Sequence, residues 1–232
     1  MTDDTKRAVR RALTDIFPVI AAAAPIGLLF GAIAAGKGLS PLEAWLMSAL
    51  VFAGGAQFTA IELWAYPVPV GAVIFSTLLV NSRHVLMGAS LAPKLTAFPP
   101  RAKVPALFFM ADENWALAER KAARDTVSLA YWLAMSLAMW LTWTTSTGIG
   151  AVLGAAIEDP ARYGFDFVFT AMFIGLVMGF WTSRHAGAGI VAAAAVSALT
   201  YELAGPPWHV AAGATAGLAA AFMTARPQEA RA

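Results

Sequence analysis

Cysteine is absent from the 232 residues, which excludes disulfides, thiolate metal sites and a cysteine nucleophile. Charge is scarce: 16 Lys and Arg with 14 Asp and Glu make up 13% of the chain, against roughly 25% in an ordinary soluble domain. So few ionisable groups cannot clothe a chain of this size in a surface that water would accept. The net charge of +2 is small, and no basic cluster is interleaved with exposed aromatics, so nucleic acid is not an expected partner. Catalytic signatures such as H-E-x-x-H, G-x-S-x-G and the Walker sequence are missing, and no cofactor motif replaces them. Strands of alternating apolar and polar residues are missing too, which argues against a β-barrel.

What the chain has in abundance is apolar sequence: 59% of residues are hydrophobic and the mean hydropathy is +0.65. Charge-free runs cover 16–36, 44–61, 63–82, 126–157, 167–183, 186–201 and 203–225. A helix needs about 20 apolar residues to cross the hydrocarbon core of a bilayer, and most of these runs qualify. The expected fold is therefore all-α, a multi-pass transmembrane helix bundle of about seven membrane segments, at least one of them discontinuous or re-entrant. The 126–157 run is too long for one ordinary span, and its Thr144-Thr145-Ser146-Thr147-Gly148 cluster is the expected point of exit from the core. One integral membrane domain is expected over 16–225, between a polar N-terminus at 1–15 and a tail at 226–232.

Orientation follows from the basic residues. Lys6, Arg7, Arg10 and Arg11 precede the first run, Arg101 and Lys103 sit in a proline-rich loop, and Arg120, Lys121 and Arg124 form a third group. The positive-inside rule places each in the cytoplasm, and with them the N-terminus. A cleavable signal peptide is the competing reading of the first run, disfavoured by its length, by Pro18 and Pro25 and by the preceding Asp15. Three full crossings before Lys94 would put the Lys94–Lys103 loop outside, so either a segment of the first half is re-entrant or the 104–118 piece crosses. Gly27 and Gly31, four apart, suit close helix contact, as do Gly175 with Gly179 and Gly213 with Gly217, the last two within the chain or with a partner subunit. Ser40-Pro41-x-Glu43 reads as a helix start, with a serine cap, proline at the first position and an acid in the first turn. The tripeptide Ser-Arg-His occurs at 82–84 and 183–185, too short a match to establish a repeat.

The informative residues are polar ones inside apolar runs. Hydrocarbon tolerates unpaired polar groups poorly, so such residues face a bundle interior or a cavity. Gly54, Gly55 and Gln57 form one interruption, either a helix break whose N–H groups and glutamine amide meet an anionic substrate group, or tight packing with one interhelical hydrogen bond. Asn81, Arg83 and His84 form the second. A guanidinium binds a carboxylate bidentately and histidine relays protons near neutral pH, while an arginine at a helix end simply reaches for headgroups. Asp112 and Glu113, beside Asn114 and Trp115, offer proton-carrying acids if the piece enters the membrane and a solvated turn if it does not. A membrane-embedded enzyme would instead need Ser90 to meet His84, His185 or His209, and a non-transporting membrane scaffold would need none of these.

At these residues the chain resembles the AzlC family, the YgaZ-like large subunits of bacterial branched-chain amino acid exporters. The likeness is carried by FPVIAAAAPIGLLFG at 17–31, by Ser40 to Ala44 and by Phe52-Ala53-Gly54-Gly55-Ala56-Gln57-Phe58. It continues in Asn81-Ser82-Arg83-His84-x-x-Met87-Gly88-Ala89-Ser90-Leu91-x-Pro93, in Asp112 to Ala116 and in Phe165-Asp166-Phe167 to Phe173. The resemblance implies export of leucine, isoleucine and valine, with methionine a further cargo, across the bacterial inner membrane. It also implies a small AzlD-type membrane subunit as partner, room for a higher oligomer, and drive from a proton or ion gradient. The tryptophan-rich stretch at 137–150 departs from the family pattern.

Overall fold

The computed structural model describes residues 3–156, 174, 177–178, 181, 183–205 and 208–224. The expectations for Gly175, Gly179, the Phe165–Phe173 stretch and the 226–232 tail lie outside them. All described secondary structure is helical: α1 (Asp3–Gly36), α2 (Pro41–Val51), α3 (Gly54–Glu62), α4 (Val70–Asn81), α5 (Arg83–Leu91), a 3-10 turn (Ala92–Lys94), α6 (Pro100–Phe108), α7 (Asp112–Ala122), α8 (Leu129–Ala155), α9 (Arg184–Ala204) and α10 (Trp208–Thr224). Among the described residues, three stretches are long and apolar enough to cross a membrane, Asp3–Gly36, Val70–Lys94 and Arg184–Ala204. The chain forms two compact units, one of 1–64 and 80–158, the other of 65–79 and 159–232.

The first unit is organised on α1 and α8, which lie in the same direction and nearly touch. A Cβ built on Gly31 would stand 2.1 Å from the Thr147 carbonyl oxygen, and one on Gly150 would stand 2.0 Å from that of Leu28. Two small-xxx-small pairs, Gly27 with Gly31 and Gly150 with Gly154, thus let the backbones approach as no side chain would. α1 runs unbroken through Pro18 and Pro25, beginning already at Asp3, and Ala12 and Ile16 are buried in the same core as Leu91, Tyr131 and Trp132.

α8 is one helix of 27 residues, about 40 Å long, and it continues through the threonine cluster. Thr144 and Thr147 are buried, and the Thr144 and Thr145 hydroxyls donate to the carbonyls of Trp140 and Leu141, one turn back, at 2.8 and 2.6 Å. A hydroxyl satisfied by its own helix costs little in an apolar setting; Thr144, Ser146 and Thr147 are buried while Thr145 is exposed.

Two helical hairpins enter this unit from opposite ends. Ser40 caps α2, accepting from the Glu43 N–H at 3.3 Å while the Glu43 carboxylate accepts from the Ser40 N–H at 2.7 Å, as the sequence predicts. α2 stops at Phe52, which adopts left-handed φ 44 and ψ 45. The chain folds back there: the Gln57 amide donates to Ser48 Oγ at 2.8 Å, whereas a straight helix would hold those residues about 13 Å apart. The second hairpin is α6 and α7. α6 rises along α8, with Trp132 Nε1 donating to the Ala106 carbonyl at 2.9 Å and the Phe109 ring 6.2 Å from that of Trp140. α7 then returns, with Asn114 Nδ2 donating to Ser136 Oγ at 2.9 Å and Lys121 Nζ 5.0 Å from the Tyr131 ring. The 104–118 piece is therefore a hairpin that enters and leaves at one end of α8. Its exit loop is charged: the Lys121 ammonium and the Thr126 N–H hold the Asp125 carboxyl below the usual carboxylate range.

In the second unit α9 and α10 pack through small residues. Cβ atoms on Gly213 and Gly217 would meet Ser197 Cβ at 2.8 Å and Ala193 Cβ at 2.9 Å, which accounts for that glycine pair as a contact within the chain. The Phe75 and Trp208 rings are 5.6 Å apart.

Candidate functional site

Arg83 lies near the middle of the apolar stretch Val70–Lys94. α4 ends at Asn81 and α5 begins at Arg83, but Ser82 between them keeps helical angles, φ −55 and ψ −27, so the polar group sits within a continuing helix. An arginine at such a position costs of order 3 kcal/mol on insertion scales and needs partners.

The partners come from the tips of the two hairpins. Arg83 Nη2 pairs with Asp112 Oδ2 at 3.0 Å, the two side chains 42% and 45% exposed. Asp112 opens α7, where an acid also favours the helix N-terminus. The same guanidinium covers the start of α3: a Cβ on Gly55 would meet Nη2 at 3.0 Å and Val80 Cγ1 at 3.6 Å. α3 begins without a side-chain cap, so its first N–H groups lack the usual acceptor where the guanidinium passes. A Cβ on Gly54 would meet the Trp143 ring at 3.3 Å, so both glycines are places of close approach.

On the same stretch of helix the polar atoms are incompletely used. Asn81 Oδ1, Arg83 Nε and His84 Nδ1 are buried and have no hydrogen-bond partner among the described residues. Buried polar groups are nearly always paired, so a cluster of three asks for an explanation. Glu113, next to Asp112, is exposed on the first turn of α7.

Gln57 is placed differently from these. It is fully buried, its amide donating to Ser48 Oγ and its carbonyl accepting from Trp143 Nε1 at 2.9 Å, while Ser48 Oγ donates to Thr147 Oγ1 at 2.9 Å. This chain ties α2, α3 and α8 together and fixes the first tip. Asn114 performs the same service at the second, accepting from the Ala111 N–H at 2.8 Å and donating to the Phe109 carbonyl at 2.6 Å. Sequence reading missed Asn114, Ser48 and Trp143 as supports. Asn114 alone carried a signal, since it lies at the third helical position, where a side chain reaches back to the cap N–H.

The Ser90 hydroxyl is taken up by side chains of α7. It accepts from Trp115 Nε1 at 3.0 Å and donates to Glu119 Oε1 at 2.9 Å, and Lys94 pairs with the other Glu119 oxygen. α5 and α7 thus run side by side from the Arg83–Asp112 pair down to Lys94 and Glu119.

The model of the AzlC protein family matches residues 18–157, the stretch that carries both hairpins and Arg83. The chain belongs to the AzlC family. Among its relatives is the branched-chain amino acid transport protein AzlC of Bacillus subtilis, 29% identical over 75% of this chain and 68% of that one. The inner membrane protein YgaZ of Escherichia coli is 27% identical over 91% of this chain and 88% of its own. An uncharacterised membrane protein of Archaeoglobus fulgidus is 28% identical over 78% and 80%. No solved structure matches. Family membership and the apolar helices make this an integral membrane protein with a role in transport.

Proposed function

We propose that the chain is the large subunit of a branched-chain amino acid exporter of the bacterial inner membrane, working with a small AzlD-type membrane subunit. The observation that carries this reading is the half-exposed Arg83–Asp112 pair within an apolar span, met by the uncapped start of α3. Broken helices with polar tips at mid-bundle are how many transporters receive a charged solute in a setting that otherwise rejects it. The Bacillus subtilis relative, a branched-chain amino acid transport protein, suggests the cargo class, and the Escherichia coli relative, an inner membrane protein, suggests the membrane.

In this reading Arg83, with Gly54 and Gly55, receives the substrate carboxylate, and Asn81 and His84 supply further contacts. Gln57 acts by holding the tip of α3 in place. His84, Asp112 and Glu113 are the groups for proton coupling, since histidine and carboxylates titrate within reach of a membrane proton gradient. The N-terminus, the Lys94–Lys103 loop and the Arg120–Arg124 loop face the cytoplasm, because all three are basic and lie at one end of α8. Catalysis is not part of the reading: the Ser90 hydroxyl donates to Glu119, whose carboxylate is also paired with Lys94.

Inside-out vesicles containing this chain and its small partner should accumulate labelled leucine, isoleucine or valine when a proton gradient is imposed, and lose that uptake when the gradient is collapsed. Equal uptake with and without the chain would end the proposal.

A further inference from the structure

We infer that Arg83 and Asp112 bind the two ends of an α-amino acid zwitterion, which enters by replacing their mutual ion pair. This rests on the transport reading above and names the recognition chemistry of the same site. The guanidinium and the carboxylate are each other's partners at 3.0 Å and both are near half exposed, so a solute can reach either without unpacking the bundle. An α-amino acid carries one carboxylate and one ammonium on the same carbon. Its carboxylate substitutes for Asp112 on the guanidinium, and its ammonium substitutes for Arg83 on the Asp112 carboxylate. Every charge separated from its partner gains another, and the net charge of the site does not change. That matters in a low-dielectric setting, where an unpaired charge is far more costly than in water.

The free atoms agree with this division. Arg83 Nε, buried and without a partner among the described residues, supplies the second N–H of a bidentate carboxylate contact once Nη2 leaves Asp112. The start of α3 beneath the guanidinium favours the carboxylate end. Recognition by exchange also predicts what is refused: a 2-oxo acid adds a lone negative charge and an amino acid amide a lone positive one, and each leaves one protein charge without a partner.

Equilibrium binding to the full chain in nanodiscs, using labelled leucine, 4-methyl-2-oxopentanoate and leucinamide, distinguishes this role from a structural one. Wild type should bind leucine and neither analogue. Asp112→Asn should weaken leucine by about tenfold or more while improving the oxo acid, because Arg83 is then free. Arg83→Gln should weaken leucine similarly and improve leucinamide. Asp112→Glu and Arg83→Lys, which keep the charges, should recover part of the leucine affinity and show that loss is not misfolding. If Asp112 only stabilises the start of α7, its removal would change all three ligands in one direction, and that result overturns the inference. Binding of a different α-amino acid with the same charge dependence would preserve the inference and replace the cargo assigned above; binding of none would overturn both.

Discussion

Gln57 shows how a buried polar residue is used when its position is read at atomic scale. Its amide links Ser48, Trp143 and, through Ser48, Thr147. Gln57→Leu leaves the Trp143 N–H without an acceptor in an apolar interior, at a cost of roughly 1–3 kcal/mol. A lower unfolding temperature of the purified variant in detergent is the expected result. Gly55→Ala acts locally: its Cβ must displace the Arg83 guanidinium by a few tenths of an ångström, so leucine transport should fall while the unfolding temperature holds. Gly36→Ala, where a Cβ meets nothing within 4 Å, is the control and should transport normally. At this scale the sequence exposed the right anomalies, because a glutamine or an arginine among apolar residues demands a partner. It did not identify the partners: Gln57 meets Trp143 at a separation of 86 positions, and nothing in local spacing encodes that.

Among the elements, the start of α2 and the Gly27–Gly31 and Gly213–Gly217 pairs are legible in the sequence. Ser40-Pro41-x-Glu43 starts α2 because the groups that satisfy its N–H atoms are local. The α1–α8 contact was half legible: Gly27 and Gly31 signal close approach, but their opposite surface, Gly150 with Gly154, lies in another helix. Gly31→Leu would drive a side chain into the α8 backbone, so we expect loss of monodisperse protein in size-exclusion chromatography. α8 runs on through its hydroxyl cluster because back-bonding to the preceding turn satisfies those groups in place. For the 104–118 piece the sequence leaves open an interfacial, a re-entrant and a crossing segment; contact gives the hairpin itself, Trp132 with Ala106 on the way in and Lys121 with Tyr131 on the way out.

At the largest scale, the hairpins bring the basic groups of the first unit together. With α2 and α3 folding back on themselves, the segment ending at Lys94 returns to the end of α8 where α1 begins, shown by the shared core of Ala12, Leu91, Leu95 and Tyr131. All three basic groups then lie at that end of α8, the end we propose faces the cytoplasm. Because the chain has no native cysteine, single cysteines report this directly. Cysteines at Thr5, Thr96 and Arg124 should react with an impermeant maleimide only in inside-out vesicles, and one at Lys37 only in right-side-out cells. The functional claim at this scale is that a solute passes at the meeting of the two tips, held by a charge pair inside an apolar span. The most direct measurement is leucine flux in inside-out vesicles carrying wild type or Arg83→Gln at equal expression. We expect saturable flux with wild type and background flux with the variant; wild-type flux through Arg83→Gln would place the solute path elsewhere.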